Sequence, residues 1–283
     1  MTRDGDGEID RRIAFINPFG TASFDAIIEE TLVPYAARGT ALEMDDVDGG
    51  PAGGVRNEGV PANIDNYYPM HLMQLAIFDE VRRLEEGGYD AVVVGCCYDP
   101  GVRVARELVD IPVVGPLEAA MNHASYFGHS FTVVTDHAKA RPWLEDLVRI
   151  HGAGNCRGVR FIDWYVTDMI EDTTAVADDA AAACLTALGE DQAEVVILGC
   201  TIIGGCLERE IMTTGRHGDL PILNPNLLAL KAAETLADLY RKGKYTISRV
   251  GLYQRHEQHD PAEAEEVRRR WHLADRGAAE TPR

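Results

Sequence analysis

No uninterrupted apolar stretch in the chain approaches the roughly 20 residues that a membrane-spanning helix requires. The opening residues, Met1-Thr2-Arg3-Asp4-Gly5-Asp6, are acidic and polar and lack the basic and apolar regions of a secretory signal, so the expected location is the cytoplasm. Positive charge is also scarce. Lys and Arg total 27 against 46 Asp and Glu, a formal net charge of −19, and no dense Lys/Arg stripe exists. Nucleic acid and anionic membrane surfaces would be repelled rather than gathered, which excludes both as expected partners. C-x-x-C pairs are absent, and six cysteines in 283 residues do not make a disulfide framework, so reduced thiols are expected. No nucleotide fingerprint is present, and Gly204-Gly205 is a lone pair rather than a phosphate loop. The stretch Asp4 to Asp10 has part of the spacing of a calcium loop. Its register puts Thr2 at the first ligand position and Ile13 at the twelfth, so calcium is rejected. His256 and His259 lie three apart with no third ligand in view. Neither metal nor cofactor is expected.

What is present is an ordinary globular composition, 46% hydrophobic and 26% charged, with an internal echo. Ala91-Val92-Val93-Val94-Gly95-Cys96 is a short β-branched run ending in glycine and a thiol. Val195-Val196-Ile197-Leu198-Gly199-Cys200 repeats it. Asp110-Ile111-Pro112-Val113-Val114 follows the first block as Asp219-Leu220-Pro221-Ile222-Leu223 follows the second. Upstream, the apolar strand ending at Asn17 is answered by the one ending at Thr135. Three landmarks in the same order argue for a duplicated unit. Two copies related by a pseudo-twofold would bring corresponding strand ends to one cleft.

Strands alternating with helical segments predict a parallel α/β fold. The first strand is expected from Arg12 to Asn17, and a helix from near Ser23 carries Phe24, Ile27, Ile28, Leu32 and Tyr35. Gly49 to Asn66 reads as one long loop. A strong helix spans Tyr68 to Glu86, Cys156 falls in a loop, and Cys184 sits in an alanine-rich helix. The final helix, from Leu227 to Tyr240, needs a sheet face to cover. The expected organisation is a disordered leader at 1–11, a first lobe of 12–116 plus 224–260, a second lobe of 117–223, and a charged tail at 261–283.

Ligands of open α/β sheets bind outside the carboxyl ends of the strands, where Asn17, Cys96, Thr135 and Cys200 all fall. A thiol there is expected beside the N-terminus of the following helix, whose dipole and free N–H groups favour thiolate. If one thiol removes a proton from carbon while the other returns one to the opposite face, the centre inverts. A free cysteine is commonly a small buried hydrophobe. The equivalence of Cys96 and Cys200 in two halves points instead to function. Cys97 either lines the site or packs. Asp136-His137 and His123 read as surface or helix-start residues, and Glu118 as a helix cap.

The chain resembles the aspartate/glutamate/hydantoin racemase superfamily, and most nearly its hydantoin racemase branch. The resemblance runs from about Arg12 to Tyr240. It rests on Ile16-Asn17-Pro18, Cys96-Cys97-Tyr98-Asp99-Pro100-Gly101, Val114-Gly115-Pro116-Leu117-Glu118-Ala119-Ala120, Phe131-Thr132-Val133-Val134-Thr135 and Leu198-Gly199-Cys200-Thr201. It implies two similar flavodoxin-like lobes with the site between them, and a cofactor-independent racemase with Cys96 and Cys200 as the acid/base pair. Asn17, Thr135 and the backbone around Cys97 and Thr201 would then hold the polar edge of a small-molecule substrate. Lobed folds of this kind commonly pair, so a homo-oligomer is expected. Asp99-Pro100-Gly101 after the first thiol is the hydantoin-type pattern, whereas Thr201 after the second is found in the amino-acid racemases. A 5-substituted hydantoin is therefore the first expectation. The alternatives are an aspartate/glutamate-type racemase, a single-thiol decarboxylase or isomerase, and a small-molecule binding module.

Overall fold

The β-branched runs become the centres of two parallel sheets. In the computed structural model, which describes residues 9–18, 24–46 and 66–270, the first half runs β1 (Arg11–Asn17), α1 (Asp25–Leu32), β2 (Thr40–Asp46), α2 (Tyr67–Glu86), β3 (Ala91–Val94), α3 (Val102–Leu108) and β4 (Val113–Val114). It continues through α4 (Pro116–Ala124), β5 (Phe131–Thr135), α5 (Arg141–Ile150), β6 (Cys156–Phe161), α6 (Val166–Met169) and α7 (Thr173–Glu190). The last stretch holds β7 (Val195–Leu198), α8 (Thr201–Thr214), β8 (Ile222–Leu223), α9 (Pro225–Arg241), α10 (His256–His259) and α11 (Pro261–Arg270).

The sheets are ordered β2-β1-β3-β4 and β6-β5-β7-β8, with every pairing parallel. Each has the 2-1-3-4 order with which a flavodoxin-like sheet begins. The duplication read from the sequence is therefore a duplication of topology. Alternate side chains enter different cores, as a period of two requires. Ile13, Phe15 and Val93 join one apolar cluster with Val196, Leu198, α7, α8 and α9. Ala14, Ile16, Val92 and Val94 face α2 and α3 in another. Burial on both faces is why these strands carry unbroken apolar runs.

The two lobes share helices at their border. α1 packs on α8, and α9 returns to cover β1, β3 and β4. A Cβ on Gly205 would stand 3.2 Å from Ile28 Cδ1, so Gly205 serves the approach of α1, while one on Gly204 would meet Asn224 Oδ1 at 2.9 Å. β1 begins one residue earlier than expected. Arg11 does not belong to a leader: its guanidinium donates to the Asp238 carboxylate of α9 at 2.8 and 3.2 Å. Cys156 opens β6 rather than lying in a loop. The expected loop from Gly49 lies outside the described residues, apart from Asn66. No described helix is long and apolar enough to cross a membrane.

Asp99 shows what its signature does in the fold. It takes a positive φ of 44°, a conformation Asp tolerates better than most side chains. Its carboxylate accepts the N–H groups of Leu117 at 3.1 Å and Glu118 at 2.8 Å, closing the first turn of α4. A Cβ on Gly115 would lie 2.4 Å from the Asp99 Cγ, so only glycine fits there. Burial pushes Asp99 up from its ordinary 3.8 to about 8, against the lowering effect of the two N–H groups. Between those values the native state keeps a proton that the unfolded chain has released. Stability from this group is thus full below 3.8 and is lost as pH rises through about 8. Urea unfolding across that range should show this fall in the wild type and a flatter profile in Asp99→Asn. Equal slopes in the two proteins would place the effect elsewhere.

Candidate active site

Each of β3 and β7 ends against its neighbour through glycine. Gly95 N–H donates to Ile16 O at 2.8 Å, and Gly199 N–H to Val134 O at 2.6 Å. A Cβ on Gly95 would meet Phe15 Cε1 at 2.1 Å, and one on Gly199 would meet Val133 Cγ1 at 2.7 Å. Glycine is required at both places by crowding from the adjacent strand. The next residue on each side is the thiol, and Cys96 and Cys200 line the same crevice between the lobes.

The residues after the thiols lock the lobes reciprocally. Cys97 Sγ donates across the border to Leu198 O at 3.7 Å, and Thr201 Oγ1 donates back to Gly95 O at 3.2 Å. The donors are equivalent positions of the two halves and the acceptors differ by one position, as an approximate twofold allows. Cys200 is the N-cap of α8, as expected of a thiol at a strand end. Cys96 is not so placed. The turn through Asp99 separates it from α3, whose N-cap is Gly101 with φ 71°.

Burial pushes the Cys200 thiol well up, the charge of Asp136 adds to this, and the N–H groups of Ile203 and Ile202 act in the opposite direction. Cys97 is likewise raised, first by burial and then by Cys200 and Cys96. Asp136 is 2% exposed and His137 is 1% exposed, so this pair is not a surface feature as the sequence suggested. Asp136 Oδ1 accepts from Thr135 Oγ1 at 2.8 Å and His137 N–H at 3.0 Å. Its Oδ2 accepts from Tyr98 OH at 2.9 Å. Burial raises this carboxyl, while the His137 charge and these hydrogen bonds act to lower it. Tyr98 is in turn stacked on Trp143 at 5.4 Å, and Trp143 on Tyr67 at 4.7 Å.

Cys96, Cys97, Cys200 and Thr201 are thus brought together. Asn17 lies in an adjoining pocket that shares Thr201 and Ile202, and its Nδ2 donates to Asp25 at 2.7 Å. Thr135 is fully buried, its hydroxyl facing Asp136 and the Gly199 carbonyl. Tyr98 and Asp136 were missed as site residues. Their only sequence signal was position, one beside the Cys96-Cys97 pair and the other just past a strand end. Among the described residues no group of three or more His, Cys, Asp or Glu side chains is placed to hold a metal ion.

The fold and crevice define a two-lobed α/β enzyme with its site at the border of the lobes. The model of the Asp/Glu/Hydantoin racemase family matches residues 13–233, and the chain belongs to that family. A hydantoin racemase from Pseudomonas sp. (strain NS671) is 33% identical over 186 residues, covering 64% of this chain and 72% of the relative. One from Rhizobium meliloti is 31% identical over 243 residues, covering 85% of this chain and 93% of its own. The solved allantoin racemase from Klebsiella pneumoniae superposes with a TM-score of 0.72 at 25% identity, covering 87% of this chain and 94% of that one. The protein is a racemase of the hydantoin racemase branch.

Because Asp136 raises the Cys200 thiol, removing its charge should favour the thiolate. In Asp136→Asn the pH profile of Cys200 alkylation, followed by mass spectrometry of its peptide, should move to lower pH. An unmoved profile would mean that the carboxylate is not felt at the sulfur.

Proposed function

We propose that this racemase inverts the stereocentre of a 5-substituted hydantoin by passing protons between two thiols. The observation that carries this reading is that Cys96 and Cys200, delivered by two different sheets, line one crevice. One sulfur, as thiolate, takes the C5 proton. The electron pair left on carbon moves into the adjacent ring carbonyl, giving an enolate that the N–H groups at the start of α8 are suited to stabilise. The opposite thiol then gives its proton to the other face of C5. The two sulfurs end with their protonation states exchanged, which suits them to the reverse reaction. A thiol raised by burial forms a stronger base once ionised, as removal of a carbon-bound proton demands.

Electrostatics favour the ring over an acidic amino acid. Among the described residues lining the crevice there is one carboxylate, Asp136, and no Lys or Arg. A hydantoin brings no carboxylate to resist the charge of the enolate. Thr201, the feature shared with amino-acid racemases, has its hydroxyl engaged with Gly95 O, so a contact between lobes accounts for it. Allantoin is itself a 5-substituted hydantoin and belongs on the same substrate panel.

Loss of optical rotation and solvent deuterium exchange should be followed with allantoin, 5-alkyl and 5-aryl hydantoins, aspartate and glutamate. Cys96→Ser and Cys200→Ser should each lower racemisation by roughly 10²–10⁴-fold. Each should keep exchange with one enantiomer, because one base still faces that proton. Full racemase activity in Cys200→Ser would refute the two-thiol scheme. Turnover lost only in Cys96→Ser would establish single-thiol chemistry, and ligand binding without any turnover would establish a binding module.

A further inference from the structure

We infer that Asp136 is the specificity-determining residue of this site: its Oδ2 accepts the N1–H of a neutral cyclic ureide, and its charge rejects substrates carrying a carboxylate beside the stereocentre. This rests on the hydantoin reading above and adds the group that selects the substrate. Asp136 lines the same crevice as both thiols and is 2% exposed. A carboxylate buried to that degree needs its acceptor positions filled. Oδ1 is served at 2.8 Å by Thr135 Oγ1 and at 3.0 Å by His137 N–H, and it also lies 3.1 Å from the Tyr98 OH whose proton Oδ2 shares. Oδ2 receives Tyr98 OH at 2.9 Å, and the His137 ring nitrogen stands 3.9 Å off, beyond hydrogen-bond reach.

A carboxylate oxygen can take two donors, so Oδ2 has capacity for one more, and Asp136 lines the crevice. One acceptor position matches one N–H. The N1–H of a hydantoin is bonded to C5 itself, so a hydrogen bond from it orients the stereocentre between the sulfurs. An amino-acid ammonium would bring three N–H donors to a carboxylate with room for one, and its own carboxylate would enter a crevice that already holds a negative charge. The carboxylate is also rigidly held. Tyr98 is stacked on Trp143, and Thr135 and His137 fix the other oxygen. Such a site is built to recognise a donor, and sites of that kind discriminate strongly against analogues lacking it.

The test has a substrate arm and a variant arm. With the wild-type enzyme, an N1-methyl hydantoin should fall below its N1–H parent in kcat/KM by about 100-fold or more, while an N3-methyl control stays near the parent. In Asp136→Asn and Asp136→Ala the N1–H to N1-methyl ratio should approach one, with the parent's loss expressed largely in KM. The ring-opened N-carbamoyl amino acid, a carboxylate, should inhibit Asp136→Asn more tightly than wild type, by about tenfold, because a like charge has been removed. A gain in binding cannot come from misfolding. If the variants keep the wild-type ratio and the wild-type inhibition constant, the inference fails while the hydantoin reading stands. It fails in the same way if the wild type accepts the N1-methyl ring as well as its parent. If the wild type racemises no ring ureide at all, both fail together.

Discussion

The two strand ends that carry the thiols are held against each other by a pair of reciprocal hydrogen bonds, and the site depends on that contact. Cys97 of one lobe reaches Leu198 O of the other, while Thr201 reaches back to Gly95 O. Each donor follows a thiol directly, and each acceptor is the carbonyl of a residue one or two positions before the opposite thiol. The contact therefore fixes where the two sulfurs stand relative to each other. It also explains a chemical asymmetry between equivalent positions. A thiol and a hydroxyl are both small donors, so either satisfies the same duplicated role.

Such precision requires lobes that do not drift. The apolar cluster containing Phe15 and Val93 of the first sheet also contains Val196 and Leu198 of the second, through α1, α8 and α9. α9 begins just after β8 in the second sheet and covers the first, tied to the start of β1 by Arg11 and Asp238. Its entry is set by Asn224, whose side chain accepts Asn226 N–H at 3.0 Å, with Pro225 at the first helical position. Asp99 does a related service between the thiol turn and α4. The chain thus crosses between lobes at two capped helices, α4 held by Asp99 two residues after Cys97 and α9 held beside Thr201 by the Asn226 side chain.

The duplication, the parallel sheets and the two thiols were legible in the sequence because each is a local pattern. Gly95-Cys96 and Gly199-Cys200 announce themselves by repetition, and strands buried on both faces must be apolar at every position. What could not be read locally is who meets whom. Arg11 looks like part of a polar leader until Asp238, 227 residues away, is placed beside it. Asp136-His137 looks like a surface pair because charged side chains usually are. Only the fold shows that Tyr98 and Thr135 provide the partners that allow burial. The Asp99-Pro100-Gly101 signature was read through substrate class, and its carboxylate proves to be a helix cap. Thr135 was expected to face substrate and instead faces Asp136.

That last exchange matters for how the site works. Thr135 ends β5 as Asn17 ends β1, so the duplicated positions are equivalent in the backbone but not in task. In the second lobe the strand-end hydroxyl is spent on holding a carboxylate, and the carboxylate is what enters the crevice. In the first lobe Asn17 is turned toward Asp25 in the adjoining pocket. The same division appears at the thiols, with Cys200 at a helix N-cap and Cys96 on a turn. A perfectly symmetric site would offer both faces of a stereocentre identical surroundings. The hydantoin ring of the proposal has one N–H beside the stereocentre and is not symmetric, so the proposal requires both enantiomers to bind with the same ring atoms oriented the same way. An asymmetric polar wall beside two sulfurs at duplicated backbone positions would meet that demand. On the two-thiol proposal, the duplication provides the pair of bases, and the departures from it would define how a ring substrate lies between them.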